Sequence, residues 1–470
     1  MTAADTPVAR TAPATFGQRG QWYEQMAAPL ARRHLFNLCQ SWELRTPRDR
    51  PTVRAALAEL VRRHEGLRTT LVEDVSGALV QRVHEVGPLD IPADTVADPG
   101  TPMLRHPLVG RVARTPFDLR RELPVRFGLL CGDNGFVRLV LCVVNHSASD
   151  AFAHALLRKE FHDLLGTSPH LWAGQDGSRA QPCDIAASEH SPLGRRRHQR
   201  TLDHLRGKLR EVPVSSGPAP GAEGITGKKS RTIARLDLHS AALRTASRWL
   251  RGAERISLGA LVLAPFSSLL AAYTGEESVP FKVMVTNRFE QGTGASMACM
   301  CQPGLTVLRG SSAETVLEAA RRCQHELLTA YHHGKYDIKA VERMLAEATA
   351  ERGPVRLERL FDCLDKDPGD VPETAPSASE LEPLASEVTC SGTFQAHGTE
   401  MTLRVRGHGS EVLLTLLTDV DVLPEHAAQR VLRGVESAAV RSCLGPPPTV
   451  AALAAGLALT PAAGSGPART

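Results

Sequence analysis

The sequence predicts an α+β protein organised as two domains, and three observations carry that prediction. The chain has 470 residues, more than one hydrophobic core usually organises. Apolar stripes at helical spacing alternate in both halves with short, almost continuously apolar runs of strand length. The stretch Ser215-Ser216-Gly217-Pro218-Ala219-Pro220-Gly221-Ala222-Glu223-Gly224 divides the chain nearly in half and can neither continue a helix nor supply packing. The expected organisation is a disordered N-terminus over 1–14, a first domain over 15–212, a linker over 213–230, a second domain over 231–454 and a disordered tail over 455–470.

In the first half, residues 52–64 place Val53, Leu57, Leu60 and Val61 on one helical stripe, and Pro51 suits the first turn. Residues 79–83 read as a strand. Residues 124–144 read as two strands joined at Gly132-Asp133-Asn134-Gly135, and the second is apolar enough to be covered on both faces. Residues 150–165 then switch to helical spacing through Ala153, Leu157, Phe161 and Leu164, so a buried strand runs into a helix across 145–150. The second half repeats the mixture: helices over 257–272 and 314–331 and from 337, a strand over 279–285, a hairpin of 402–406 and 411–417, and a helix over 424–442. The Pro/Ser/Glu-rich residues 368–384 are expected to form a long surface loop.

Composition excludes several function classes. Hydrophobic residues make up 42% and charged residues 23% of the chain, which excludes wholesale disorder. Lys+Arg of 55 against Asp+Glu of 51 leaves +4, too even a mixture for a nucleic-acid partner. No run approaches the roughly 20 apolar residues of a membrane span, and the N-terminus lacks a basic segment followed by an apolar one, so a cytoplasmic protein without a membrane partner is expected. The ten cysteines are scattered, several within apolar runs such as Val140-Leu141-Cys142-Val143, as small buried hydrophobes of a reducing compartment would be. Cys299-Met300-Cys301 has a one-residue spacer and no second pair at zinc-finger spacing, so no metal site is expected.

Chemistry concentrates in Asn145-His146-Ser147-Ala148-Ser149-Asp150-Ala151. An imidazole in a tight turn after a buried strand can accept a proton near neutral pH, and a carboxylate four residues later can cap the helix or bind a cation. By spacing alone, His-x-x-x-Asp is common. In context the segment resembles the HHxxxDG signature of the condensation domains of non-ribosomal peptide synthetases, with His146 as the second His, Asp150 as the Asp, Asn145 in place of the first His and Ala151 in place of the Gly.

Further segments of that family follow in order. Gln18 and Trp22 resemble the opening AQxxxW segment, and Arg63-His64-Glu65-Gly66-Leu67-Arg68-Thr69 the RHExLRT motif. Cys183-Asp184-Ile185-Ala186 resembles a weakened YxDYA, Asn287-Arg288 the GxPxxxR region, and Ala330-Tyr331-His332-His333 the AYxH helix.

The resemblance implies two chloramphenicol-acetyltransferase-like lobes forming a V-shaped pseudo-dimer with a central tunnel. It implies His146 as the catalytic base or positioner, with Asn145, Asp150, Ala151 and Arg288 structural at the active site and Asp150 paired with Arg288. Asn145 can support the turn but cannot titrate, and Ala151 would be strained if the family's Gly stands there for a positive φ. No metal and no resident cofactor are expected; the phosphopantetheine thioester is supplied in trans by acyl or peptidyl carrier proteins, with a second carrier, a small amine or an alcohol as acceptor.

No LGGxS carrier motif, adenylation signature or phosphate-binding Gly loop occurs. The reading is therefore a free-standing condensation enzyme of secondary metabolism that forms an amide, less readily an ester. The competing reading is a catalytically degenerate relative that recruits a pathway enzyme or carrier.

Neighbouring classes on the same fold fit less well. The DFGWG segment of plant-type acyltransferases is missing, and the DxxxxD of cyclising relatives is not matched at Asn145. Arg406-Gly407-His408-Gly409-Ser410-Glu411 looks like the EGHGRE segment of epimerising relatives but reads as a hairpin turn. Adjacent His332 and His333 point about 100° apart on a helix and are read as packed or solvated. The basic run Arg195-Arg196-Arg197-His198-Gln199-Arg200 reads as a solvated helix face, with carrier docking as its functional alternative.

Overall fold

A computed structural model describes residues 6–95, 106–166, 179–214, 230–355, 357–365, 369–381, 386–397 and 400–459. Most of the expected linker, and the tail from 460 onward, lie outside them. The chain divides into two compact units, one of residues 1–200, 286–302 and 335–341, the other of 201–285, 303–334 and 342–470. The division therefore differs from the expected one, since two segments of the second half belong to the first unit. Packing explains this: Met297 is buried in a first-unit core, and Lys335 reaches Glu189 at 3.7 Å and Glu290 at 3.3 Å.

The first unit runs β1 (Val8–Pro13), α1 (Phe16–Ala27), β2 (Asn37–Arg48), α2 (Arg50–Arg63), β3 (Thr69–Glu73), β4 (Leu79–His84), β5 (Ala93–Thr95), α3 (Pro107–Ala113), β6 (Val125–Cys131), β7 (Val137–Asn145), α4 (Ala151–Leu164), α5 (Pro182–His190) and α6 (Pro192–Glu211), whose final turns count with the second unit. The strands form two sheets, ordered β2-β7-β6-β5 and β1-β4-β3. The expectation of disorder over 1–14 is corrected: residues 8–13 pair antiparallel with β4. Nearly all side chains of β1 are exposed, so the strand is held by backbone hydrogen bonds that leave no hydrophobic signature.

β7 is covered on both faces, as its composition predicted. Val140, Cys142 and Val144 enter a core with Trp42, Leu57, Leu157 and Phe161, while Leu139, Leu141 and Val143 enter another with Trp22 and Leu108. Gly132 N donates to Phe136 O at 2.9 Å, and Gly135 takes φ +76° to close the β6–β7 turn.

The second unit runs β8 (Ser230–Ser240), α7 (Ala241–Ala253), α8 (Leu258–Thr274), β9 (Ser278–Val285), β10 (Gln302–Arg309), α9 (Val316–His332), α10 (Ile338–Arg352), whose first turn counts with the first unit, β11 (Arg359–Asp365), α11 (Ala378–Leu381), β12 (Glu387–His397), β13 (Met401–His408), β14 (Glu411–Asp419), α12 (Glu425–Leu444) and α13 (Val450–Gly456). Its strands join one sheet, β10-β9-β11-β13-β14-β8-β12, whose core includes residues of α7, α8, α9 and α12. The expected hairpin is β13–β14, turning at Gly409 with φ +55°. The surface loop expected over 368–384 contains the single helical turn α11, fixed by the buried Leu381 and by Ser377 Oγ donating to Glu380 at 2.8 Å.

Candidate active site

The site is built on the junction between β7 and α4. Asn145 ends β7 fully buried, and both ends of its amide are used: Nδ2 donates to Gln25 Oε1 at 3.0 Å, and Oδ1 accepts from Ser147 N at 3.0 Å. Ala148 N returns to Asn145 O at 2.9 Å, closing the turn. Asparagine thus supplies the local hydrogen bonds the turn needs without titrating.

His146 follows with its backbone N donating to Phe36 O at 2.8 Å and its ring only partly buried. Its Nδ1 lies 2.9 Å from Ser149 O. A carbonyl oxygen can only accept, so Nδ1 carries the proton and Nε2 the lone pair. The turn's own backbone therefore sets both the tautomer and the orientation of the imidazole.

Asp150 is buried, and its carboxylate is engaged by neighbouring backbone and by Arg288. Its Oδ1 caps α4 by accepting from Ala153 N at 2.8 Å, and its Oδ2 accepts from Met300 N at 3.1 Å. Arg288 Nη2 lies 3.0 Å from both carboxylate oxygens, with the two side chains 4% and 3% exposed. Arg288 also donates to Thr293 O at 3.0 Å, Ser296 O at 2.8 Å and Ala298 O at 3.0 Å, and lies over the Phe152 ring at 4.8 Å. The pair thereby ties the start of α4 to residues 286–302 inside the first unit. Asn287, with φ +54°, donates to Met300 O at 2.9 Å and closes the same segment on itself.

Ala151 is the first residue of α4, is exposed, and is not among the non-glycine residues with positive φ. The strain expected for a Gly-to-Ala departure is therefore not present. Gln18, Trp22 and the 63–69 motif serve as scaffold: Gln18 completes a capping box on α1, Trp22 is buried under Arg120, and His64 Nε2 bonds Glu160 at 3.0 Å.

Two residues that sequence reasoning set aside stand beside His146. Cys299 Sγ is 3.6 Å from His146 Nδ1, and a ligand atom from each of His146, Cys299 and Cys301 lies within 4.8 Å of the others. A hydrogen bond with Cys301, together with burial, pushes the Cys299 thiol well above its ordinary pKa, so Cys299 rests as a neutral thiol rather than a nucleophile. The Cys-x-Cys spacing was visible, but its histidine lies 153 residues away in the sequence.

A family model for the condensation domain matches residues 8–362. The chain belongs to the condensation-domain family. Among curated relatives of this condensation domain, chondramide synthase cmdD of Chondromyces crocatus is 28% identical over 256 residues, 51% of this chain and 6% of the synthase. Tyrocidine synthase 2 of Brevibacillus parabrevis is 25% identical over 346 residues, 70% of this chain and 9% of that one. The chain thus spans less than a tenth of either relative.

Solved structures show the same mixed helix-and-sheet, chloramphenicol-acetyltransferase-like fold. The condensation domain of the monacolin K polyketide synthase MokA superposes with a TM-score of 0.69 at 18% identity, over 94% of this chain and 99% of that one. The X-domain from teicoplanin biosynthesis gives 0.66 at 19% identity, over 95% and 98%. Among the described residues, no single helix is long and apolar enough to cross a membrane.

Proposed function

We propose that this chain is a condensation enzyme of secondary metabolism, joining a carrier-borne acyl or aminoacyl thioester to an amine and, less readily, to a hydroxyl. The observation that carries the proposal is the imidazole of His146, oriented by Ser149 O so that Nε2 holds the lone pair on a partly exposed ring. The attacking nitrogen forms the new C–N bond as the C–S bond breaks. The amine proton passes to Nε2 of His146, or His146 holds the amine in line while the proton leaves, and the departing thiolate is finally protonated. The thioester already stores the required energy, so no nucleotide is consumed. Phosphopantetheine arms come from acyl or peptidyl carrier proteins, with a small amine or alcohol as an alternative acceptor.

The intact turn supports catalysis over a purely recruiting role, because Asn145 satisfies its buried partners and Ala151 adopts helical geometry. The test incubates the protein with a loaded donor carrier and a panel of acceptors, and follows product by mass spectrometry. Wild type is expected to form product, and His146→Ala to lose about 100-fold or more of the rate. Equal rates from the two proteins would remove His146 from the chemistry. No product across a broad panel would favour a recruitment platform.

A further inference from the structure

We propose that Cys299 and Cys301 close into a reversible disulfide when the chain meets a hydroperoxide, which makes residues 299–301 an oxidative modification site beside His146. The two sulfurs already lie within 4.8 Å of each other, close enough that Cys301 helps to hold the Cys299 proton. Residues two apart point to the same face of an extended chain. Their Cα atoms cannot be separated by more than about 7 Å, against the roughly 4.4–6.8 Å that a disulfide spans. Side-chain rotation with a small backbone adjustment therefore closes the bond.

Burial sets the order of reaction. Cys301 is partly exposed and Cys299 is buried, so the peroxide reaches Cys301 first. The Cys301 sulfur attacks one peroxide oxygen; the S–O bond forms as the O–O bond breaks, giving a sulfenic acid and the alcohol or water of the oxidant. The Cys299 sulfur then attacks the Cys301 sulfur. The S–S bond forms as the S–O bond breaks, and the Cys299 proton leaves with the departing oxygen as water. Together the two thiols give up two electrons and two protons to the hydroperoxide. Cys299 is a poor nucleophile, since Cys301 and burial keep its proton on, but a reactant already in place needs no encounter.

A ring closed across a single intervening residue is strained, and strained disulfides are the readily reduced ones. That intervening residue is Met300, whose N donates to Asp150 Oδ2 at 3.1 Å and whose O accepts from Asn287 Nδ2 at 2.9 Å. Cys299 Sγ stands 3.6 Å from Nδ1 of His146, so closing the bond also changes what packs against the imidazole.

The experiment treats the full, reduced chain with hydrogen peroxide, alkylates the remaining thiols and digests with trypsin. Cleavage after Arg288 and Arg309 releases residues 289–309, in which Cys299 and Cys301 are the only cysteines. That peptide is expected to be lighter by two hydrogens with neither thiol alkylated, and to regain both alkylatable thiols after dithiothreitol. Cys299→Ser should stop at a sulfenic acid on Cys301, trapped by dimedone, and Cys301→Ser should leave Cys299 as a thiol. Oxidation of Cys390, an exposed thiol of the other unit, shows that the dose sufficed. Both site thiols still alkylated in wild type at that dose, or Cys301 carried on to a sulfinic acid without the loss of two hydrogens, would overturn the proposal. Wild type alone gives this answer, so a variant that misfolds cannot mask it. Because the peptide map reads no acyl transfer, failure here leaves the condensation reading standing, and the reverse also holds.

Discussion

At the scale of single residues, Asp150 shows a motif carboxylate whose partners all belong to the scaffold. Its two oxygens cap α4, accept from Met300 and receive Arg288, with both side chains of the pair nearly inaccessible. Removing one partner strands a buried guanidinium, so Asp150→Ala is expected to lower unfolding free energy by about 3–5 kcal/mol. Urea denaturation measures this directly, and an unchanged midpoint would count against a structural role. The same reasoning places a smaller cost on Asn145→Ala, which leaves Gln25 and Ser147 without their buried partners. About 1–3 kcal/mol is expected there, again read from denaturation.

Between elements, the approach of α1 to residues 299–301 has no side-chain signature. Gly17 faces this segment so closely that a Cβ on it would lie 2.1 Å from Cys299 O. Both sides of that contact are backbone, so neither can rotate away. Gly17→Ala is expected to cost about 1–3 kcal/mol through overpacking and to displace the Cys299-Met300-Cys301 backbone. On the same helix a Cβ at Gly20 meets nothing within 4 Å, so Gly20→Ala should be neutral or stabilising by up to about 1 kcal/mol. Thermal melts of the two variants make a matched comparison; equal melting temperatures would mean that α1 does not pack as described.

Across the whole molecule, two buried groups give stability opposite dependences on pH. Burial pushes His154 down to about 4, so the folded chain holds it neutral while the unfolded chain protonates it near 6.5. Its contribution is complete above pH 6.5 and is lost as pH falls towards 4. Burial pushes Glu189 up to about 7, with Lys335 and the Phe16 N–H opposing the shift. The folded chain then holds the proton longer than the unfolded one, so stability from this group is present below pH 4.5 and lost as pH rises to about 7. Each shift corresponds to about 3 kcal/mol at most, and the two slopes offset one another between pH 4.5 and 6.5. Glu189→Gln should therefore unmask stability rising with pH over that window, and His154→Phe stability falling with it. Urea midpoints at several pH values test this, and parallel profiles for the two variants would contradict it.

How much of this was legible in the sequence depended on what each feature rests on. The path from β7 into α4 could be read because an apolar run with strand periodicity gives way to a helical stripe, and that change places His146 in a turn. The family could be read because its motifs recur in order. β1 could not, since its exposed side chains carry no pattern and backbone pairing with β4 alone makes it a strand.

The membership of residues 286–302 in the first unit was hidden for a related reason: it rests on Arg288 and Met297 meeting groups far away in the sequence. By itself the sequence determined the α+β class, the condensation-domain family and the turn that presents His146, all set by local periodicity and short motifs. The pairing of Asp150 with Arg288 was implied by the family resemblance, whereas tertiary structure alone decided that the two share one unit and that two thiols stand beside His146. Both depend on contacts between residues more than 130 positions apart, where spacing along the chain carries no information about distance.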